Sequence, residues 1–321
     1  MVGAQDKAEP LAPGSVSLRI YPHNDLDAVA VVDELQRQGA LAAAAGFDGV
    51  MTSEHHGGFA GYLPNHIQAA GWLLEAMPSG WAAPCPLLLP LRPAALVAEE
   101  VAWMAARFPG RVGVGVAAGS LVDDFQIMGL DKHDLTRRFA DALAEVAGML
   151  GERDPGRLAG DLAVRRCATD PVPMVSAVMS SAAVRRAAAC GVGLLFDSLS
   201  SAERARQLVD VFRAAGGAGP AVLIRRVWVG PVPEAEVTRQ VDVYRGYAAP
   251  AAQAHWDGNP LITGSTADEV AGQVAAAVTD AGADAVNLRV HAPGITPEAV
   301  GDQIGALADV VSALRRLSPT G

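Results

Sequence analysis

Acidic, basic and hydrogen-bonding side chains are concentrated in one short segment, SEHHGGF, at residues 53–59. Glu54, His55 and His56 come shortly after the apolar residues 49–51 and precede two glycines. Histidine exchanges a proton near neutral pH, so either imidazole could act as a general acid, a general base or an electrophile. The alternative is a polar turn whose imidazoles are partly buried and satisfied by backbone carbonyl groups. The segment alone leaves both interpretations open.

Metal coordination by the same segment is disfavoured by its spacing. Adjacent residues on a strand point to opposite faces, so His55 and His56 cannot readily bind one ion. The sequence also lacks an H-E-x-x-H motif and a pair of closely spaced cysteines. We therefore expect no metal site.

Two further groups of polar residues stand at the ends of apolar runs. Ser180 and Ser181 follow residues 173–179 without the G-x-S-x-G motif of a hydrolytic nucleophile. They suit the start of a helix, where hydroxyl and backbone donors would either cap the helix or bind an anionic group such as phosphate. Asp123, Asp124 and Asp131 are a weak candidate for a carboxylate site, because acidic residues in such loops are usually solvated or cap the next helix.

The elements that position these residues alternate between short apolar runs and stretches of helical period. This alternation indicates repeated βα units built around a parallel sheet. The predicted strands are residues 16–21, 49–53, 81–91, 111–116, 173–179, 193–197, 221–229 and 285–290, and the predicted helices include residues 27–45, 93–107, 132–150, 181–189, 202–214, 267–281 and 297–317.

Eight βα units in a chain of 321 residues fit an α/β fold of the TIM-barrel type, which typically has about 250 residues. A doubly wound open sheet is the competing architecture, but no glycine-rich phosphate loop follows the first predicted strand. A barrel places its site at the C-terminal ends of the strands, so residues 53–59 would line its mouth. The prediction is a disordered leader at residues 1–14 and a single barrel domain at residues 15–321, with an irregular loop and a helix at residues 231–260.

Composition and charge limit the possible partners. The chain is 50% hydrophobic and 19% charged, which is enough apolar content for a large core. Its net charge of -10 argues against a nucleic-acid partner, because that affinity comes mainly from Lys and Arg. No stretch approaches the roughly 20 apolar residues of a membrane span. The three cysteines are odd in number and widely spaced, so we expect reduced thiols in a cytoplasmic protein.

Several motifs occur together in the order found in one known family. They are GFDGVMTSEHH, LLLPLRPAALVAEEVAWM, GRVGVGVAAG, DDFQIMGLD and GSTADEVAGQVAAAVTDAGAD. The chain resembles the bacterial luciferase-like flavin oxidoreductases over residues 17–317, and SEHH and DDFQIMGLD are the specific parts of the resemblance. It implies a TIM barrel that binds reduced FMN, or in some branches a deazaflavin coenzyme, at the C-terminal mouth.

The resemblance also implies roles for individual residues. His55 corresponds to the family's catalytic histidine beside the flavin ring, with Glu54 and His56 as its neighbours. Ser180, followed by Ser181, corresponds to the hydroxyl that contacts the flavin phosphate at a helix N-terminus. This implication agrees with the anion-binding interpretation of the two serines.

The implied cofactor site further includes Ala118, Gly119 and Asp124. Family members commonly carry an arginine just before the glycine that follows the fourth strand, where it pairs with the flavin phosphate, and this chain has Ala118 there. The implied function is a homodimeric monooxygenase or oxidoreductase that takes reduced FMN from a separate flavin reductase and acts with O2 on a small organic substrate. The alternatives are a deazaflavin-dependent hydride-transfer enzyme and a non-catalytic partner subunit that binds flavin weakly.

Overall fold

A computed structural model of the chain describes residues 7–151, 155–248, 253–256 and 261–317. Within these ranges, short apolar runs form one sheet of 10 strands, which is buried on both faces as parallel sheets require. The strands are β1 Val16–Arg19, β2 Gly49–Thr52, β3 Trp81–Pro84, β4 Leu87–Leu88, β5 Val114–Ala117, β6 Met174–Ala177, β7 Gly193–Phe196, β8 Ala221–Val229, β9 Leu261–Gly264 and β10 Ala285–Arg289.

Helices follow most strands and pack around the outside of the sheet. Side chains cap several of their first turns, as in the reciprocal capping box of Thr266 and Glu269. No helix in the described ranges is long and apolar enough to cross a bilayer. The helices are α1 Ala28–Ala44, α2 His66–Ala76, α3 Ala94–Arg107, α4 Val122–Ile127, α5 Leu135–Leu150, α6 Leu162–Arg166, α7 Ser181–Cys190, α8 Ala202–Ala214, α9 Glu234–Tyr247, α10 Ala267–Ala281 and α11 Pro297–Leu317.

The strands close into a barrel. Neighbouring strands follow the order β3-β2-β1-β10-β8-β7-β6-β5-β4, and β9 pairs with β8 outside this ring. β3 pairs with β2 while β4 pairs with β5, so these two consecutive strands occupy a single position of the ring. Ala82 on β3 also bridges to Val112, just before β5. The described strands therefore fill eight ring positions, and the predicted TIM barrel is confirmed.

Two regions of the sheet differ from the sequence-based expectation. The run at residues 81–91, predicted as one strand, is divided into β3 and β4, with a cis Cys85–Pro86 peptide bond between them. Strand β9 is not predicted, because its four half-buried residues give little apolar signal. In the region 231–260, helix α9 corresponds to the predicted helix, and residues 249–252 and 257–260 lie outside the described residues.

Part of the predicted leader packs against the barrel. Leu11 is fully buried and joins the hydrophobic cluster of the barrel interior, and it lies against Gly113 with Pro10. Gly14 N donates a hydrogen bond to Asp284 O at 2.7 Å. This packing differs from the prediction that residues 1–14 lie outside the fold, because an apolar side chain covers the N-terminal end of the barrel interior. Residues 1–6 lie outside the described residues.

The barrel interior is apolar at its N-terminal end and polar toward its mouth. Trp81 and Met51 belong to the interior cluster, together with Val222 on β8. Successive strand residues alternate between the interior and the surrounding helices, so the inward series on β8 continues from Val222 to Arg226. On β10 the same alternation leads to Arg289. Charged side chains thus enter the barrel where a ligand would approach it.

Gly49, at the start of β2, leaves room for the ring of Trp81. A Cβ at Gly49 would lie 2.0 Å from Trp81 Cδ2, so Gly49→Ala must displace either the ring or the strand. We expect this variant to lower the free energy of unfolding by about 1–3 kcal/mol, the usual cost of overpacking a core. Urea denaturation measures the change.

The matched control is Gly272→Ala on α10, where nothing lies within 4 Å of the added Cβ. Alanine favours a helix over glycine by about 0.8–1.0 kcal/mol, so this variant should be at least as stable as the parent. Equal unfolding free energies for Gly49→Ala and Gly272→Ala would contradict the packing of the barrel interior described above.

Candidate active site

Glu54 lies directly after β2, and its side chain is fully removed from solvent. Its Oε1 accepts hydrogen bonds from His56 Nε2 at 3.1 Å and from Arg92 Nη2 at 3.0 Å. Its Oε2 accepts from Leu88 N at 2.5 Å and lies 3.5 Å from His66 Nε2. Burial alone would raise the pKa of Glu54, but the hydrogen bonds of the two histidines and the charge of Arg92 hold this pKa well below its ordinary value. Glu54 is therefore ionised and joins β2, β4 and α2.

Asp124 on α4 fixes the orientation of His55. Its Oδ1 accepts from His56 N at 2.8 Å, and its Oδ2 lies 2.7 Å from His55 Nδ1. Because a carboxylate only accepts hydrogen bonds, His55 Nδ1 carries a proton, and Nε2 of the neutral ring does not. The Asp124 side chain is fully buried and that of His55 is 11% exposed. The carboxylate therefore fixes the orientation of a partly exposed imidazole at the barrel mouth.

Aromatic and cationic side chains form another part of the mouth. The His55 and Tyr62 ring centroids lie 4.5 Å apart, and Tyr62 OH lies 2.7 Å from Tyr244 OH on α9. Arg289 Nη2 donates to Tyr244 OH at 2.9 Å, and the Arg226 guanidinium lies 5.4 Å from the Tyr244 ring centroid. Burial alone would raise the pKa of Tyr244, but the two guanidinium groups lower it overall. Contacts therefore extend from Asp124 across the mouth to β8 and β10.

Ser180 caps the N-terminus of α7. Its Oγ accepts from Ala183 N at 3.3 Å, and its carbonyl accepts from Val184 N at 3.0 Å. The N–H groups of Ser181 and Ala182 have no acceptor among the described residues, as is usual for the first turn of a helix. The geometry agrees with a helix cap and leaves two donors for an anion.

Ala118 and Gly119 lie in the turn between β5 and α4. Ala118 packs against the hydrophobic core between the sheet and the helices, which also contains Val116. Gly119 has a φ of 84°, and a side chain there would press against the Phe125 ring. The two residues shape the turn that leads to Asp124.

The three cysteines are free thiols. Cys85 lies in the barrel interior, and burial raises the pKa of its thiol to about 11, so it is a poor nucleophile. Among the described residues there is no group of three or more His, Cys, Asp or Glu side chains that could hold a metal ion. The groups available for proton transfer at the mouth are therefore imidazoles, carboxylates and tyrosines.

The structure brings Glu54, His55 and His56, which are neighbours in the sequence, together with Asp124, which is 68 residues from His56 in the chain. The sequence-based candidates omit Arg226, Arg289, Tyr62 and Tyr244. A signal for the arginines is present, because each is a charged residue inside an apolar predicted strand. The two tyrosines are 182 residues apart in the chain, and nothing in the sequence indicates that they meet.

Removing the Glu54 carboxylate should destabilise the protein strongly. Glu54→Ala removes an acceptor of Arg92, the acceptor of buried His56 Nε2 and the negative charge beside buried His66, so we expect a loss of about 3–5 kcal/mol in the free energy of unfolding. Because the folded pKa of Glu54 is lowered, its contribution to stability is present above the ordinary carboxyl pKa of about 4.3 and is lost as the pH falls below it. Denaturant unfolding at pH 7 and at about pH 3 measures both effects, because the loss grows as the pH falls from the ordinary carboxyl pKa toward the lowered folded pKa.

Glu75→Ala is the matched control, because Glu75 pairs with Arg107 at 2.8 Å on the surface. Exposed pairs of this kind contribute about 0–1 kcal/mol. If Glu54→Ala cost no more than Glu75→Ala, Glu54 would not be the centre of the site.

Solved structures share this fold at low sequence identity. The monooxygenase RslO1 from Streptomyces bottropensis has a TM-score of 0.75 at 15% identity, covering 95% of this chain and 100% of that chain. The oxygenating constituent of 3,6-diketocamphane monooxygenase from the CAM plasmid of Pseudomonas putida, a type II Baeyer-Villiger monooxygenase in complex with FMN, has a TM-score of 0.74 at 15% identity, covering 94% and 98%. An F420-dependent secondary alcohol dehydrogenase, in complex with an F420-acetone adduct, has a TM-score of 0.69 at 18% identity, covering 94% and 99%.

A search of curated protein sequences found no match. A family profile, however, matches nearly the whole chain, from residue 14 to residue 313. The matching region begins before β1 and ends within α11, so it includes the described strands and every residue of the site. The chain belongs to the luciferase-like monooxygenase family.

Proposed function

We propose that the protein is a flavin-dependent monooxygenase or oxidoreductase, which uses reduced FMN and O2 on a small organic substrate at the barrel mouth. The observation that carries this proposal is the contact between Asp124 and His55, where a buried carboxylate holds a partly exposed imidazole at the C-terminal end of β2. A purely structural histidine would need no such oriented partner at the place where barrel enzymes bind their ligands. A bound cofactor would carry out the redox chemistry, and the chain's residues would bind the cofactor and transfer protons.

The groups at the mouth fit a flavin. A flavin nucleotide joins a flat ring system to a phosphate, and the first turn of α7 offers the N–H groups of Ser181 and Ala182 for an anion. His55 is flanked by the rings of Phe59 and Tyr62, at centroid distances of 4.7 and 4.5 Å. When bound, the cofactor would supply the hydride or oxygen chemistry that side chains cannot provide.

The chain's own residues would move and hold protons. His55 Nε2 can accept a proton from a bound molecule and later return it, because Asp124 holds the Nδ1–H tautomer and balances the charge of the protonated ring. Glu54 acts indirectly by fixing His56 and the backbone that carries His55. Tyr244 on α9 is buried against Tyr62, so this helix limits access of water to the same region.

A deazaflavin coenzyme is the second candidate cofactor. Among the similar structures, one is a complex with FMN and another is a complex with an F420 adduct, so the fold accommodates either. The features of the mouth described above suit both ring systems. With FMN, a separate flavin reductase would supply the reduced cofactor, because the sequence lacks a nicotinamide fingerprint.

Anaerobic titration with reduced FMN and with the reduced deazaflavin, side by side, tests the proposed cofactor. We expect saturable binding of one of them. If FMN is the cofactor, it should bind up to about tenfold more tightly than riboflavin, because the N-terminus of α7 favours an anion. Binding of neither cofactor would contradict the proposal and favour the non-catalytic interpretation. Equal affinities for FMN and riboflavin would remove Ser180 and Ser181 from the cofactor site.

The role of His55 is tested by replacing it. His55→Ala should lower kcat by about two to four orders of magnitude, the usual contribution of a general acid or base, with the cofactor still bound. His133→Ala is the control, because the His133 side chain is 77% exposed and pairs only with its exposed neighbour Asp134 among the described residues. Unchanged turnover in His55→Ala, with the parent's cofactor content, would exclude the role assigned to this residue.

A further inference from the structure

Two buried arginines face the barrel mouth on neighbouring strands, β8 and β10. Arg226 and Arg289 are 3% and 4% exposed, respectively. Arg289 is well partnered, because it donates to Tyr244 OH at 2.9 Å and to His291 O at 3.2 Å and lies 4.3 Å from the Tyr21 ring centroid. The two guanidinium groups repel each other, so another group must balance the positive charge of Arg226.

Arg226 is less well partnered, and its contact with the Tyr244 ring brings no hydrogen-bond acceptor to its Nη atoms. Its Nε donates to Ser198 Oγ at 3.3 Å, but its Nη1 and Nη2 have no hydrogen-bond partner among the described residues. No described carboxylate forms an ion pair with either arginine, and the groups that act on Arg226 are Arg289 and three tyrosines. Burial and the repulsion from Arg289 lower the pKa of Arg226 to about 10. A buried cation with four unused donor hydrogens is unfavourable unless an anion binds it.

Arg19 shows what a satisfied arginine looks like in the same barrel. It is equally buried, at 3% exposure, and also points inward. Its Nε donates to Asn287 Oδ1 at 2.7 Å, and its Nη1 donates to Cys85 O at 2.7 Å and to Ser53 Oγ. The described residues therefore provide hydrogen-bond acceptors for the guanidinium of Arg19 but none for the Nη atoms of Arg226.

We propose that Arg226, with Arg289 beside it, binds the oxyanion of a small organic acid as the substrate of this site. A carboxylate or sulfonate accepts two parallel hydrogen bonds from the Nη atoms of a guanidinium. Both arginines contact Tyr244, which belongs to an apolar and aromatic cluster with Leu199, Val241, Tyr62 and Trp256, so apolar side chains adjoin the proposed anion site. This assignment rests on the proposed function for its reaction, but the anion site itself is independent of any cofactor.

The first experiment uses the flavin-free protein and follows thermal unfolding in sodium acetate or methanesulfonate, at an ionic strength held constant with sodium chloride. Either anion, at about 100 times its dissociation constant, should raise Tm saturably by roughly 3–8 °C. Arg226→Met should lose this response. Without anion it should be as stable as the parent or more so, because an uncompensated buried charge is removed.

Arg19→Met is the matched control, because it removes a fully partnered arginine from the same barrel interior. It should lower Tm while keeping the response to the anions. Arg226→Gln, which keeps a polar side chain without charge, provides a second test if Arg226→Met folds poorly. An equal rise in Tm in the parent and in both Arg226 variants would overturn the anion site.

The phosphate of FMN is also an oxyanion that Arg226 could bind. A second measurement therefore distinguishes binding of this phosphate from binding of a substrate acid. The dissociation constants of FMN and riboflavin are compared in the parent and in Arg226→Met. Unchanged affinity for both, together with loss of the anion response, supports the substrate assignment. A tenfold or larger weakening for FMN alone would overturn that assignment in favour of the phosphate. If neither flavin nor deazaflavin binds but the anion response depends on Arg226, the proposed function fails and the anion site stands.

Discussion

The buried carboxylate of Glu54 is the interaction on which the mouth of the barrel depends. An ion removed from solvent is tolerated only when hydrogen bonds and opposite charges replace its hydration, and here they come from the backbone of β4, from Arg92, from His56 and from His66 at the start of α2. These partners lie on separate segments, so satisfying one carboxylate fixes their relative positions. The path of residues 53–63 above β2 follows from this constraint.

Once that segment is fixed, Asp124 can complete the site with two hydrogen bonds. One of its oxygens accepts from the backbone N–H of His56 and the other contacts the His55 ring, so a single side chain joins helix α4 to the segment after β2. Both acidic groups of the mouth are thereby fully engaged by the protein. Arg226 on β8 is not, because its Nη1 and Nη2 have no hydrogen-bond partner among the described residues. Because the carboxylates are satisfied within the protein and Arg226 is not, we infer that a ligand of the mouth carries a negative charge.

Much of the fold can be predicted from local signals. The bounds of α10 are predicted to the residue, because Thr266 and Glu269 cap its start and Gly282 ends it with a φ of 62°. The position of the SEHH segment after a buried strand is also readable from the sequence. The division of the third barrel strand, the half-buried β9 and the packing of Leu11 are not, since each depends on contacts that form only when the barrel closes.

The roles of site residues are less predictable than their positions. Glu54 is adjacent to the candidate histidine and is expected to share its chemistry, but only the structure shows that its carboxylate is fully buried and hydrogen-bonded within the protein. The charges of Arg226 and Arg289 are visible in the sequence, but whether they face the interior or the helices depends on the register of β8 and β10. The structures of the same fold are only 15% and 18% identical to this chain, so they do not indicate its substrate. The substrate chemistry must be inferred from the side chains at the barrel mouth.

The most direct test of this account is the 15N chemical shifts of the histidine side chains, with His55 assigned by comparison with His55→Gln. We expect His55 in the Nδ1–H tautomer, loss of that preference in Asp124→Asn, and a clear shift of its Nε2 resonance when the cofactor is added, while exposed His133 stays unchanged. A His55 ring protonated at Nε2 alone, or one whose resonances do not respond to bound cofactor, would contradict the account.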